Sequence, residues 1–254
     1  MMKEYLKEII KEAGNIAKKY FQEGVSHSSK SHLGDLVTEA DHAVSNFLIS
    51  KIKEKFPLHT INSEEVKETI NPGHEYEWVI DPIDGTRNFA NGISFWCIMV
   101  AVLKDGELCM SAIYNPLGEE LFFAEAEKGA TLNGIPLKVN EVDSLDHGFG
   151  FICRGNNTQY EKEFIKMITT LAEETSVWMH NYGSVLGACY LASGGVDFFA
   201  ENCGYDYDYL AVALILQEAG ALVTDIDGKP WARDRKDIVV ANPTLHPKIL
   251  NLFK

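Results

Sequence analysis

The sequence predicts a layered α/β or α+β protein with two lobes, and three observations support this fold class. Apolar residues recur at helical spacing near the start of the chain, from Leu6 to Ala13, between lysine and glutamate residues. Three extended apolar runs separated by turn signals occupy residues 94–126. The second half alternates apolar helical stretches with short strands. Helices and sheets that alternate in this way pack as layers around a shared core.

The first half begins with two predicted helices. Residues 2–22 form an amphipathic helix, and the polar stretch 26–32 after it is expected to be a mobile loop. Thr38 opens the second helix, because Asp41 follows it at the spacing of a capping box. Pro57 ends this helix, since proline cannot continue the hydrogen-bonding pattern.

The strands of the first half are short and separated by turns. Two are expected at 59–62 and 77–80. An antiparallel meander fills 94–126, because Asp-Gly and Pro-x-Gly turns divide its three apolar runs. A further strand pair surrounds the dipeptide Asn133-Gly134.

The second half is predicted to contain four helices and four strands. The helices are expected at about 159–174, 184–193, 208–219 and 244–252. The strands are expected at about 148–152, 196–200, 221–225 and 237–240. We therefore interpret 1–254 as a single domain with two lobes, at about 1–145 and about 146–254.

Composition restricts the possible partners. The chain has 254 residues, with 37 acidic and 23 basic side chains and a formal net charge of −14. Such a surface repels phosphate backbones and anionic lipid, so neither direct nucleic-acid binding nor a membrane partner is expected. The five cysteines are dispersed without a C-x-x-C pair, which is typical of a reducing compartment and predicts a cytoplasmic protein.

The densest chemical signal lies between Trp78 and Phe89. A predicted strand ends at Asp81, and Pro82 lacks an N–H group, so the chain is expected to leave the sheet there and turn. Two carboxylates three residues apart, Asp81 and Asp84, can then point into one pocket, with a backbone carbonyl between them. The alternative is an ordinary Asp-Pro/Asp-Gly turn with solvated charges.

Further residues extend this signal. Gly85 allows close backbone approach to a ligand, and its N–H and that of Thr86 would lie at a helix start, where an anion is favoured. Glu64 follows a predicted strand, and Asp208 opens an apolar helix. If these carboxylates converge, they cannot all ionise without bound cations, and oxygen ligands favour Mg²⁺.

Four motifs, in this order along the chain, resemble those of the inositol monophosphatase-like family of Mg²⁺-dependent, Li⁺-sensitive phosphomonoesterases. They are Gly34-Asp-Leu-Val-Thr-Glu-Ala-Asp41, Ser63-Glu-Glu65, Asp81-Pro-Ile-Asp-Gly-Thr86, and Tyr207-Asp208 with the downstream Glu218-Ala-Gly220. The resemblance covers essentially the whole chain. It implies a layered αβαβα sandwich of the inositol monophosphatase or fructose-1,6-bisphosphatase type, assembled as a homodimer.

The resemblance also assigns roles to individual residues. It implies two or three Mg²⁺ per active site, held by Glu64, Asp81, the Ile83 carbonyl, Asp84 and Asp208. Asp41 and Thr86 would take up the proton of the attacking water, with Glu64 as a second candidate. Gly85 and Thr86 would hold the phosphate, and Ser184 and Glu201 would contact the alcohol. Lys30 matches a lysine of the family's mobile loop.

The implied activity is hydrolysis of a small phosphomonoester by in-line attack of a water activated by Mg²⁺. Inositol monophosphate is the first expectation, because Glu201 matches a residue that hydrogen-bonds ring hydroxyls. Histidinol phosphate, fructose 1,6-bisphosphate and 3′-phosphoadenosine phosphates remain alternatives on the same metal site.

Two readings of another kind also remain open. The segment Asp225-Ile-Asp227 superficially fits the D-x-D motif of haloacid dehalogenase-like phosphatases, although Asp227-Gly228 is also typical of a hairpin turn. Alternatively, the protein is a regulatory, partner-binding member of the resembled family with a dormant site. The complete set of acidic residues favours the enzyme over this last reading.

Overall fold

The computed structural model describes residues 1–24, 27–29, 36–153, 160–202 and 204–254. The loop expected at 26–32 lies mostly outside the described residues, and so does Lys30. Residues His27–Ser29 are described and form a short strand that pairs with Leu36–Thr38.

The described residues contain seven helices and fourteen strands. The helices are α1 (Met2–Glu23), α2 (Glu39–Lys55), α3 (Thr86–Ala90), α4 (Glu161–Glu174), α5 (Leu186–Ala192), α6 (Asp206–Glu218) and α7 (His246–Asn251). The strands of the first half are β1 (His27–Ser29), β2 (Leu36–Thr38), β3 (Thr60–Ser63), β4 (Tyr76–Asp84), β5 (Cys97–Lys104), β6 (Glu107–Asn115), β7 (Glu120–Glu125), β8 (Ala130–Leu132) and β9 (Ile135–Pro136). Those of the second half are β10 (Phe149–Cys153), β11 (Trp178–His180), β12 (Phe198–Glu201), β13 (Leu222–Thr224) and β14 (Ile238–Ala241).

The strands form two large sheets. The seven-stranded sheet has the order β3-β4-β5-β6-β7-β8-β9, and only its first pair is parallel. The five-stranded sheet has the order β11-β10-β12-β14-β13, with β10 parallel to both of its neighbours. The predicted meander from β5 to β7 is therefore confirmed.

Side-chain alternation along β5 explains how helices cover both faces of the seven-stranded sheet. Successive residues of a strand point to opposite faces. One set packs in the cluster that includes α1 and α2: Ile98, Val100 and Val102. The other set packs in the cluster that includes α5 and α6: Met99, Ala101 and Leu103. Because both sets are buried, this strand is apolar throughout rather than alternating.

The remaining helices complete five layers. Every residue of α6 from Tyr209 to Leu216 is buried, as expected for a helix enclosed between two sheets. On the outer face of the five-stranded sheet, α4 contributes Phe164 and α7 contributes Ile249 to a cluster with Phe198 of β12. The order α1/α2, sheet, α5/α6, sheet, α4/α7 confirms the predicted αβαβα sandwich.

Two local predictions were wrong. The strand β4 does not end at Asp81 but continues to Asp84, with a register shift between these residues and with Asp84 opposite Cys97. Pro82 is accommodated in this irregularity, where a missing N–H breaks no regular ladder bond. The edge strand β11 was not predicted, because it has three residues and no apolar alternation: Trp178 is exposed and its two successors are half-buried.

Neither a membrane span nor a disulfide is found among the described residues. None of their helices is both long and apolar enough to cross a bilayer. Four cysteines are free thiols: Cys97, Cys109, Cys153 and Cys189.

Candidate metal and catalytic site

Three aspartates from two elements meet beside the edge of the seven-stranded sheet. Asp81 and Asp84 lie in the irregular end of β4, and Asp208 lies in the first turn of α6. One carboxylate oxygen of each lies within 4.8 Å of the others. Asp208 also accepts the Tyr205 N–H at 2.5 Å, which fixes its side chain at the helix start. The sequence predicted that Asp81 and Asp84 can share one pocket, and the family resemblance implied that Asp208 joins them.

Two local hydrogen bonds stabilise the irregular end of β4. The Ile83 N–H donates to Asp81 Oδ1 at 3.0 Å, so the first aspartate is held by the backbone that follows it. The Ile83 carbonyl accepts the Thr86 hydroxyl at 2.9 Å. The bulge therefore brings a backbone carbonyl and a threonine hydroxyl together within six residues of chain.

The carboxylate of Asp84 is oriented by three donors that converge on one oxygen, Oδ2. The Val185 N–H donates at 2.9 Å and the Cys97 thiol at 3.4 Å, and the Ser184 hydroxyl makes the third bond. Since all three bonds use Oδ2, Oδ1 is the oxygen available to a ligand. Sequence reasoning did not identify Cys97 and Val185 as contacts of this carboxylate, because no local motif indicates contacts this far apart in sequence.

Glu64 and Glu201 lie close enough to influence the aspartates. The Glu64 N–H donates to the Ile80 carbonyl at 3.1 Å, which places this residue beside the segment of β4 that precedes Asp81. Glu201 ends β12 and is half-buried. Burial raises the pKa of Asp208 well above its usual range, and the charges of both glutamates raise it further, against the opposing effect of the Tyr205 N–H bond.

Asp41 lies at the start of α2 and faces the site through Thr86. Its Oδ2 accepts the Thr38 N–H at 2.8 Å and the Thr38 hydroxyl at 2.5 Å, so the predicted capping box is confirmed. Its Oδ1 lies 3.4 Å from the Thr86 hydroxyl oxygen, whose single hydrogen can donate either to this carboxylate oxygen or to the Ile83 carbonyl, at 2.9 Å. Burial raises the pKa of Asp41 to about 6, against the opposing effect of the bonds from Thr38. Asp41 Oδ2 thus caps α2, while Oδ1 points toward Thr86 in the site.

The electrostatics of the cluster favour a bound cation. Burial raises the pKa of Asp81 well above its usual range, and the charges of Glu64, Asp84 and Asp208 raise it further. Burial also raises the pKa of Asp84 to about 6, although its hydrogen bonds oppose this shift. Neighbouring buried carboxylates ionise together only when an opposite charge neutralises them. A donor set made only of oxygens fits a hard divalent ion such as Mg²⁺.

Gly85 is required by geometry where β4 meets α3. Its φ of 86° lies in the left-handed region that favours glycine, and it forms the N-cap of α3. A Cβ there would lie 3.1 Å from the Phe95 carbonyl oxygen and 3.2 Å from the Ser184 Cβ. The backbone at Gly85 therefore passes close to Phe95 and Ser184, and a side chain at this position would press on Ser184, which bonds Asp84.

The segment with Asp225 and Asp227 forms a turn, as its second interpretation expected. Asp225 Oδ1 accepts the Lys229 N–H at 2.9 Å, and its other oxygen pairs with Arg235. The left-handed φ of 84° at Gly228 completes the turn. Both carboxylate oxygens of Asp225 therefore make contacts that stabilise this turn and the loop after it.

Comparison with known proteins identifies the family. The model of the inositol monophosphatase family matches residues 2–254. The chain is 33% identical over 239 residues to the Nus factor SuhB of Escherichia coli, covering 92% of this chain and 88% of that protein. It is also similar to the solved extragenic suppressor protein suhB of Bartonella henselae, with a TM-score of 0.92, 25% identity and coverage of 99% and 97% of the two chains. An IMPase of Thermotoga maritima matches with a TM-score of 0.87, 28% identity and coverage of 97% and 94%. The chain belongs to the inositol monophosphatase family.

Proposed function

We propose that the protein is a Mg²⁺-dependent phosphatase that hydrolyses a small phosphomonoester, with inositol monophosphate as the first candidate. The observation that carries this proposal is the meeting of three aspartate oxygens within 4.8 Å, in surroundings that raise the pKa of each carboxyl. Family membership supports phosphate-ester chemistry at this position.

The proposed ligands are the three aspartates, with Glu64 and the Ile83 carbonyl beside them, for two or three ions. When bound, Mg²⁺ would neutralise the phosphate and lower the pKa of the attacking water. The protein's part is to hold the ligand oxygens in place. Ser184, Val185 and Cys97 fix Asp84, and the Tyr205 N–H fixes Asp208.

Thr86 and Asp41 are proposed to receive the proton of the attacking water. The Thr86 Oγ1 can accept that proton as its own proton passes to Asp41 Oδ1, along the contact of 3.4 Å. Because Thr38 holds the other oxygen of Asp41, Oδ1 stays directed at Thr86. Glu64 remains the second candidate for this base, and general-base catalysis of this kind contributes about 10²–10⁴-fold.

The substrate contacts are proposed from the family resemblance. Gly85 and Thr86 are proposed to hold the phosphate through their backbone N–H groups. Glu201 is proposed to accept hydrogen bonds from the hydroxyl groups of the alcohol. Ser184 was expected to contact the alcohol as well, but its hydroxyl donates to Asp84. Histidinol phosphate, fructose 1,6-bisphosphate and 3′-phosphoadenosine phosphates remain the alternatives.

The test is a panel of these phosphomonoesters, assayed with Mg²⁺, with and without Li⁺, and after treatment with a chelator. We expect hydrolysis that needs Mg²⁺ and falls with Li⁺, with the highest kcat/KM on inositol monophosphate. Asp84→Asn should abolish activity, while Asp105→Asn, in an exposed turn, should leave it unchanged. Undiminished activity after chelation would refute the metal-dependent scheme.

A second candidate is a regulatory role, which one observation favours: relatives at 33% identity are named Nus factor SuhB. Under this alternative the fold would serve a partner rather than a substrate. Replacing Asp84 by alanine in the chromosome separates the two roles. A phenotype equal to that of gene deletion supports catalysis, whereas normal growth beside a defective deletion strain supports the regulatory role.

We also propose a homodimer, as the family resemblance implies. Sedimentation velocity on the purified chain tests it directly. A single species near twice 28.4 kDa would support the dimer, and one near 28.4 kDa would contradict it.

A further inference from the structure

Arg233 lies between β13 and β14, in the second half of the chain, yet its guanidinium bonds to both elements that carry the aspartates. Nη1 and Nη2 donate to the two carboxylate oxygens of Glu77, on β4, at 2.8 and 2.7 Å. Nε donates to Asp206 Oδ2, on α6, at 2.5 Å. The first contact is bidentate and charge-assisted, which is the strongest common geometry for such a pair.

The partners of Arg233 lie directly upstream of the proposed ligands. Asp206 is the first residue of α6 and precedes Asp208 by two positions, and Glu77 precedes Asp81 by four positions on β4. The network also reaches β3. Asn62 Nδ2 donates to Glu77 Oε1 at 2.5 Å, and Asn62 precedes Glu64 by two residues.

We propose that Arg233 is a positioning residue for the metal site, which it stabilises by tying α6 to β4 and, through Glu77, to β3. This inference rests on the proposed function. The aspartates at the ends of β4 and α6 repel one another at short range, so the elements that carry them tend to separate. Three hydrogen bonds from one planar group oppose that separation.

The contact differs from an ordinary surface ion pair. Exposed ion pairs contribute little to stability. Here the side chain of Glu77 is only 17% exposed and that of Arg233 36% exposed. Lysine cannot reproduce the arrangement, because a single ammonium group lacks the planar fork that serves two carboxylates at once. Arg233→Lys is therefore a sharper variant than a full truncation, since it keeps the charge.

Arg235 provides a matched control in the same loop. It also pairs with carboxylates, but these are Asp225 and Asp227 in the turn after β13 and Asp237 directly before β14. Arg235→Gln thus removes an equivalent cation and its ion pairs without touching β4 or α6. Any general effect of loosening this loop should appear in both arginine variants.

The experiment is isothermal titration calorimetry of the 254-residue chain with Mg²⁺, together with thermal unfolding of the metal-free forms. We expect Arg233→Lys and Arg233→Gln to bind Mg²⁺ about tenfold more weakly, the lower end of the loss seen when a contact to a metal ligand is removed, because Arg233 bonds residues two and four positions from the ligands rather than the ligands themselves. Phosphatase activity should then need proportionally more Mg²⁺, with kcat at saturating Mg²⁺ close to that of the wild type. Arg235→Gln should lower the unfolding temperature but keep the Mg²⁺ affinity within about threefold of the wild-type value, a smaller loss than that expected for the Arg233 variants.

The outcomes separate the two proposals. If the wild type binds Mg²⁺ and Arg233→Lys binds it equally well, the positioning role is refuted and the proposed function stands. An equal loss of Mg²⁺ affinity in the Arg233 and Arg235 variants would also refute the positioning role, since that result would indicate a general loosening of the loop between β13 and β14. A wild type that binds no Mg²⁺ would overturn the proposed function itself. If Arg233→Gln does not fold, the Mg²⁺ affinity of Arg233→Lys alone tests the positioning role.

Discussion

Removal of the Ser184 hydroxyl distinguishes two roles for this residue. The family resemblance implies that Ser184 contacts the alcohol of the substrate, whereas the structure shows its hydroxyl bonded to Asp84 Oδ2. Ser184→Ala leaves that oxygen with two donors, the Val185 N–H at 2.9 Å and the more weakly donating Cys97 thiol at 3.4 Å. A hydrogen bond to a charged group contributes about 1.5–3 kcal/mol. At about 1.4 kcal/mol per factor of ten, we expect Mg²⁺ affinity to fall by roughly 10–100-fold.

The assay is calorimetric titration with Mg²⁺ alongside KM for the phosphate ester at saturating Mg²⁺. If Ser184 orients Asp84, Mg²⁺ affinity falls while KM at saturating metal stays near the wild-type value. Ser193→Ala is the matched control, because Ser193 follows α5 at the end opposite to Ser184 and its hydroxyl donates to the Tyr190 carbonyl, at 2.9 Å. An unchanged Mg²⁺ affinity combined with a raised KM would refute this reasoning and assign Ser184 to the substrate.

Three further predictions concern single side chains. Asp41→Asn should lower kcat by about 10²–10⁴-fold with little change in KM, because Thr86 loses its proton acceptor. An unchanged kcat in steady-state assays would contradict this role and indicate Glu64 as the base. Leu48→Ala should lower the free energy of unfolding in urea by about 2–5 kcal/mol, because Leu48 is fully buried beneath α1; a loss below 1 kcal/mol would contradict this packing. His246 is buried and its pKa is lowered by burial, so the unfolded chain binds its proton more readily and stability falls as pH drops below about 6.5. His246→Gln should reduce the slope of unfolding free energy against pH between pH 5 and 7 by up to about 1.4 kcal/mol per pH unit; equal slopes would contradict a neutral buried histidine.

The features that the sequence predicted correctly are local or periodic. Thr38 and Asp41 are three residues apart, so their capping box can be recognised within one turn of helix. The meander was predicted because turn dipeptides interrupt apolar runs of strand length. The three aspartates were predicted to converge from their positions at element ends together with the family resemblance, and their carboxylates do converge.

The features that the sequence did not reveal depend on tertiary contacts. The continuation of β4 past Pro82 requires pairing with Cys97 on the next strand, which overrides the tendency of proline to end a strand. The third donor to Asp84 lies 100 residues away at Ser184, and the bond from Arg233 to Glu77 spans 156 residues. No spacing rule relates residues so distant in the chain, because only the packed layers bring them together.

The central claim is that Asp81, Asp84 and Asp208 jointly hold a divalent cation. The most direct test is a crystal structure of the protein grown with Mn²⁺ in place of Mg²⁺, with anomalous difference maps that locate the metal. The account predicts at least one strong anomalous peak bounded by oxygens of all three aspartates, and loss of that peak in Asp84→Asn. A map without a peak among these carboxylates, at a Mn²⁺ concentration that supports hydrolysis, would contradict it.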